Sequence, residues 1–438
     1  MTQTAIPAKR GNYVLPIIIT FALFFMIAFV TGYQNPLGSI IKNISGGSTF
    51  WTQLGNLMNF IAYAFMGYPA GVILQKKGYR VSALLASIVG FIGVLLTFIS
   101  GTMDSTRSPE AVLTIYMIGA FIAGFSMCML NSVVNPLMNS MGSTPDKGNQ
   151  MLQFGGACNS LGATLAPVIV GYIIGGQATQ ISNVNPVFFM CMGIFAAAII
   201  VLYFSKLPEA PDFGKVKEKI EAKGAFKYSN FVLGIVAIFC YVGIEVGIAN
   251  ITMQYISNDA IPMQNGINVA EPETVAGFIV GMYWLLMLVG RLLGGVVGSK
   301  VSSRMMLTIV TIVAMLFVAS AILISPESTA SIFGISKEGG LSFELFDVRL
   351  SVFLLVMCGL CTSVMWGAIF NLSVVGLGKY TQVASGIFMI MVCGGGIVPF
   401  IQTYLVDAFG YLNSFWLVFG LLGFILFYAL VGSRTRKN

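Results

Sequence analysis

A single carboxylate, Glu245, stands in the middle of an apolar run from Phe231 to Ile256. At a rise of about 1.5 Å per residue this run crosses a hydrocarbon core of about 30 Å, with the acid near its centre. A charge at that depth costs on the order of 3 kcal/mol, so such a group faces a watery cavity or a partner. Two chemistries are open to it. It can take up and release a proton, or it can offer oxygens to Na⁺ beside amide or backbone oxygens. The competing reading is a permanently neutral acid hydrogen-bonded to a neighbouring helix. Gly243 and Gly247 flank it and permit close helix packing or a local break.

Arg291 is the other charged residue well inside an apolar run. It lies nine residues before Lys300, which allows it to snorkel to an interface and cap helix ends at a gate. Alternatively it lines a cavity, where it pairs with Glu245 or binds an anionic group.

Amides are numerous in the apolar runs, among them Gln34, Asn35, Asn56, Asn59, Asn131, Asn135, Gln150, Gln153, Asn159, Asn371 and Gln402. Interhelical amide bonds stabilise by about 0.6–2 kcal/mol, so many of these can be simple helix glue. Asn131 and Asn135, however, are one turn apart on one face. Faces rich in amides and poor in charge suit a neutral, polyhydroxylated ligand. The expected cavity lining is Gln34, Asn35, Asn131, Asn135, Gln153, Asn159 and Asn371. Tyr283, Trp284 and Trp366 lie mid-span and can meet the C–H face of a sugar ring, although any one of them can equally be core.

Histidine is absent, which excludes imidazole relays and His-based metal sites. The 7 cysteines all fall in apolar segments, which argues against an extracellular disulfide framework. Cys358 and Cys361 read as packing residues one turn apart rather than as a redox pair. No nucleophile–base pair, metal cluster or nucleotide loop is visible, so neither enzymatic activity nor a cofactor is expected.

The elements that must position these groups are membrane helices. The chain of 438 residues is 57% hydrophobic and 9% charged, a balance that no soluble surface tolerates. Lys9 and Arg10 precede an apolar run too long for a signal core, so it reads as a first permanent span. Twelve runs are long enough to cross: 14–41, 51–75, 79–100, 111–141, 148–176, 186–204, 230–257, 272–298, 303–325, 349–376, 380–407 and 410–432. The fold class is therefore an all-α membrane protein of twelve transmembrane helices in two six-helix halves. Residues 1–204 form the N-terminal half, 205–229 a charged and partly helical linker, and 230–438 the C-terminal half. Lys and Arg collect on the side of the termini, which the positive-inside rule makes cytoplasmic. The net charge of +7 follows from that topology and is not a nucleic-acid footprint.

Two equal halves suggest parallel repeats around a midplane site. The loop at Gly71-Val-Ile-Leu-Gln-Lys-Lys-Gly-Tyr-Arg80 and that at Gly290-Arg-Leu-Leu-Gly-Gly-Val-Val-Gly-Ser-Lys-Val-Ser-Ser-Arg304 resemble degraded copies of the major facilitator signature loop, without its acid. Leu130-Asn-Ser-Val-Val-Asn-Pro-Leu-Met-Asn-Ser-Met-Gly142, Asn159-Ser-Leu-Gly-Ala163, Tyr241-Val-Gly-Ile-Glu-Val-Gly247 and the stretch from Ile369 to Gly386 are similar, in order, to the fucose–galactose–glucose:proton symporter branch of that superfamily. The resemblance covers nearly the whole chain. It implies the major facilitator fold and a secondary active transporter working by alternating access. The expected cargo is a neutral sugar, in symport with H⁺ or Na⁺.

Fucose-transporting members carry one coupling acid late in span 1 and another in span 4. The matching positions here are Asn35 and Asn131, which can hold a hydroxyl but cannot carry a proton. Glu245, matching a glutamate of the glucose/galactose members, remains as the coupling group. The expected partners are a monosaccharide and the lipid bilayer, with no nucleic acid, and the expected state is a monomer in the bacterial inner membrane. Proton-driven export of an amphipathic compound and a solute sensor that has lost transport are the competing readings. The antiporter glycine–proline signature is missing from span 5, and only a few residues follow span 12.

Overall fold

The computed structural model describes residues 14–33, 37–44, 54–103, 108–142, 145–174, 181–209, 222–260, 263–264, 267–268, 272–298, 301–336, 342–377 and 380–434. The helices of the N-terminal half are α1 (Val14–Gly32), α2 (Leu37–Ile44), α3 (Leu54–Thr102), α4 (Pro109–Ser140), α5 (Pro145–Ile174) and α6 (Asn185–Phe204). Those of the C-terminal half are α7 (Ser229–Asn258), α8 (Pro272–Val297), α9 (Ser303–Leu323), α10 (Leu350–Thr362), α11 (Met365–Val374), α12 (Thr381–Ile390), α13 (Gly394–Phe409) and α14 (Tyr411–Phe427).

Among the described residues, 10 helical stretches are long and apolar enough to cross a membrane. One of them, α3, is two spans in 49 residues, broken where Gly78 takes φ 77° and ψ 177°. Only glycine adopts that backbone without strain. The more polar α5, of 30 residues, completes twelve. Many hydroxyls inside the spans bond back one turn, as Thr20 does to the Pro16 carbonyl and Thr31 to that of Ile27. This satisfies them where lipid offers no partner.

Two spans of the C-terminal half are interrupted near mid-depth. Span 10 breaks at Ser363 and Val364, between α10 and α11. Span 11 passes through a 3₁₀ turn at Met391–Cys393 before α13 begins with Gly394-Gly395-Gly396. A Cβ on Gly394 would meet the Phe239 carbonyl oxygen of α7, and one on Gly396 would meet Phe60 and Leu57 of α3, so the glycine run brings span 11 against both helices.

Several expectations change. The first apolar run is not one span to residue 41: α1 ends at Gly32 and a separate short helix, α2, follows. The loops opposite the termini are not all irregular. Strands β1 (Met263–Gln264), β2 (Ile267–Asn268), β3 (Thr329–Ser336) and β4 (Ser342–Arg349) form an antiparallel sheet in the order β2-β1-β4-β3. The all-α fold class thus holds for the spans but not for these loops. The cause is a two-residue alternation. Ile332, Phe346 and Val348 are buried, while Phe333 and Leu345, directly opposite in register, face outward. Of the linker, residues 210–221 lie outside the described residues, and Ala222–Lys227 forms a 3₁₀ helix.

The acid missing from the first signature loop has a stand-in. Glu209, just beyond α6, accepts from the Tyr79 amide at 2.8 Å and so caps the second half of α3 at its break. Arg80 donates in return to the carbonyls of Leu202 and Tyr203 at the end of α6. The two halves meet along α5 with α8 and along α3 with α12 and α13. In the second seam Asn56 Nδ2 donates to the Gly395 carbonyl at 3.1 Å.

Candidate substrate and ion-coupling site

Between the halves lies a cavity of about 160 Å³. A cavity of about 150 Å³ holds one benzene ring, so the space accepts a ligand of about one six-membered ring. One wall comes from α1, α3, α4 and α5 and carries Asn56, Tyr63, Asn131, Asn135, Gln153 and Asn159. The facing wall carries Glu245 of α7, Trp284 and Arg291 of α8, Ser363 and Trp366.

The amides are fixed by their neighbours. Asn131 Nδ2 donates to Tyr63 Oη at 3.0 Å and to the Met127 carbonyl at 3.1 Å. Asn135 Nδ2 donates to the Asn131 carbonyl at 2.8 Å, one turn back on α4. Asn159 Nδ2 donates to the Phe24 carbonyl on α1 at 3.0 Å. Held this way, an amide keeps acceptor capacity for a ligand hydroxyl without reorganising on binding. Trp366 is braced edge-on by Tyr241 and by Phe388, with ring centroids 6.2 Å and 5.9 Å away. Such T-shaped contacts fix the ring plane.

Glu245 and Arg291 form a buried ion pair at 3.3 Å, with side chains 12% and 8% exposed. Arg291 therefore does not snorkel to an interface: its helix carries it into the cavity wall. Its Nη1 donates to the Gly156 carbonyl at 2.6 Å and to Ser160 Oγ at 2.8 Å, both on α5. Its Nε donates to the Ser363 carbonyl at 3.3 Å, which the break in span 10 leaves available.

Not every expected residue lines the cavity. Tyr283 is 1% exposed and turns its hydroxyl to the Glu245 carbonyl at 3.2 Å and Thr362 Oγ1 at 3.0 Å. It braces α7 against α8 and α10 instead of facing a ligand. Asn371 is half-buried on α11, away from the cavity. Gln34 and Asn35 lie outside the described residues. Cys358 and Cys361 are buried free thiols. Tyr63 and Ser160 were not expected here. Nothing in their local sequence distinguishes them, because their roles come from helices that cross them in space.

A sequence profile of the Major Facilitator Superfamily matches residues 18–398. The chain belongs to the Major Facilitator Superfamily. It is accordingly a multi-pass membrane transporter and not an enzyme. Among superfamily relatives, a glucose/galactose transporter of Brucella abortus is 27% identical over 436 residues, covering 98% of this chain and 96% of that one. The L-fucose-proton symporter of Escherichia coli is 21% identical over 466 residues, covering 98% and 96%. In three dimensions the chain is similar to the superfamily transporter FucP in the outward conformation, with a TM-score of 0.71 at 18% identity, covering 97% of this chain and all of that one (100%). It is also similar to the proton:xylose symporter XylE bound to 6-bromo-6-deoxy-D-glucose, with a TM-score of 0.73 at 11% identity, covering 97% and 96%. The superfamily fold, with twelve spans in two halves, accounts for a cavity walled by both.

Proposed function

We propose that this transporter carries a neutral monosaccharide across the bilayer by alternating access, in symport with a proton that Glu245 binds and releases. One observation carries the reading. Among the described residues, the cavity between the halves is lined by fixed amides, two tryptophans and one Glu–Arg pair. Amides match hydroxyl groups in both donor and acceptor capacity, and the tryptophan faces suit the C–H side of a sugar ring. The volume matches one ring and not a long amphipathic molecule. The sugar transporters among the curated relatives support the same cargo.

The surroundings of the acid favour H⁺ over Na⁺. A sodium site needs several converging oxygens, and a guanidinium 3.3 Å from Glu245 repels a second cation. A proton raises no such conflict, since it neutralises the carboxylate. The Lys and Arg distribution supports cytoplasmic termini, and we take the chain to be a monomer in a bacterial inner membrane.

The test is thermal unfolding of purified protein against a panel of monosaccharides, in Na⁺ and in choline buffer. A ligand at about 100 times its dissociation constant stabilises by about 2.7 kcal/mol, and the shift is expected to be equal in both buffers. No stabilisation by any sugar would overturn the substrate class, and stabilisation confined to Na⁺ would overturn the proton.

A further inference from the structure

Arg291 offers five N–H groups, and four of them meet protein acceptors. Its shortest contacts are not to Glu245, at 3.3 Å, but to α5 in the other half, at 2.6 Å and 2.8 Å. Two features of α5 make that seat. Gly156 lets the arginine lie against the helix, because a Cβ there would stand 3.1 Å from Arg291 Cδ. Ser160, one turn on and fully buried, turns its hydroxyl to the guanidinium. The cation is thus seated by the N-terminal half and presented to an acid of the C-terminal half.

We propose that Ser160 is a positioning residue for coupling: by seating Arg291 on α5 it ties the charge on Glu245 to the contact between the two halves. The proposal rests on the reading of Glu245 as the coupling acid. While Glu245 is ionised, the buried cation is compensated within the seam. Once Glu245 takes a proton, Arg291 is held only by neutral oxygens. An uncompensated buried charge is costly enough to draw water toward it and loosen the packing of α5 on α8. Without the Ser160 hydroxyl the guanidinium leans into the cavity, and the protonation of Glu245 no longer acts on α5. The groups facing Glu245 are Tyr241 on its own helix, Arg291 and Tyr283 on α8, and Tyr63 of α3 across the cavity, with Cys358 of α10 near Tyr283. Of these only Arg291 is charged at neutral pH.

The experiment places spin labels on the full-length transporter at Leu161→Cys of α5 and Leu293→Cys of α8, both exposed positions outside the cavity, in a background lacking the native cysteines. Their separation is measured by pulsed dipolar spectroscopy in acidic and in alkaline buffer, beside proton-driven accumulation in vesicles. The separation is expected to change with pH in the parent and to lose that response in Ser160→Ala. Ser160→Thr is expected to restore it, and Glu245→Gln to hold the acidic distribution at both pH values. If Ser160→Ala fails to fold, Gly156→Ala, whose Cβ makes the Arg291 side chain give way by a few tenths of an ångström, is expected to weaken the same response. A pH response kept in the alanine variants, or absent from the parent, overturns the proposal. If either result accompanies a Glu245→Gln variant that no longer accumulates substrate, the coupling acid stands and the positioning role alone fails. Undiminished accumulation in Glu245→Gln removes the coupling reading itself.

Discussion

Arg291 Nη2 lies 3.3 Å from Glu245 Oε1 across the interface of α7 and α8, and the same guanidinium reaches the other half of the molecule through Gly156 and Ser160. One cation therefore serves both the acid that faces the cavity and the seam that must open for transport. Each of its contacts can be removed separately, and the consequences differ.

Removing the titratable group while keeping its shape isolates the proton. Glu245→Gln is expected to abolish accumulation driven by a pH gradient and to preserve counterflow exchange of sugar, measured in the same vesicles. Exchange needs the cavity and the moving halves but not a change of protonation.

Removing the cation leaves a buried carboxylate without its partner. Arg291→Ala is expected to lose roughly 3–5 kcal/mol of stability, as breaking buried pairs does, and Glu245→Gln/Arg291→Met to lose much less. Arg291→Lys should not restore the parent, since an ammonium cannot address four acceptors in the plane of a guanidinium. Thermal unfolding of the three variants in one detergent checks the order.

Asn131 and Tyr63 hold each other at 3.0 Å in the wall contributed by the N-terminal half. Asn131→Ala takes away a ligand partner and frees the tyrosine, so sugar affinity is expected to fall about tenfold, or about 1.4 kcal/mol. Tyr63→Phe keeps the amide and should cost less. Equilibrium binding followed by tryptophan fluorescence would separate them, because Trp284 and Trp366 line the same cavity.

The glycine run of span 11 makes a prediction about packing alone. A side chain at Gly394 would meet the Phe239 carbonyl oxygen, a backbone atom that cannot step aside. Gly394→Val is expected to lower the melting temperature markedly, whereas Gly420→Ala, where nothing lies within 4 Å, should leave it unchanged.

Much of this was legible in the chain before any coordinates, and the reason is the solvent. A bilayer demands about 20 apolar residues per span and makes every charge inside a span conspicuous. That is why the twelve spans, the two halves, Glu245 and the amide pair Asn131 and Asn135 stand out from sequence. Periodicity also separates faces along one helix, but it is silent about which helices meet. Tertiary structure alone decided that Arg291 turns inward to Glu245, that Tyr283 braces α7 instead of touching a ligand, and that Asn371 sits off the cavity. It also brought Tyr63 to Asn131, 68 positions away in sequence, and Ser160 to Arg291, 131 positions away. The β3–β4 sheet escaped for a different reason: its alternation is short and falls between spans 9 and 10, where apolar length gives no signal. Composition fixes where a membrane chain crosses the bilayer, while its site is made by side chains that different spans bring to the same depth.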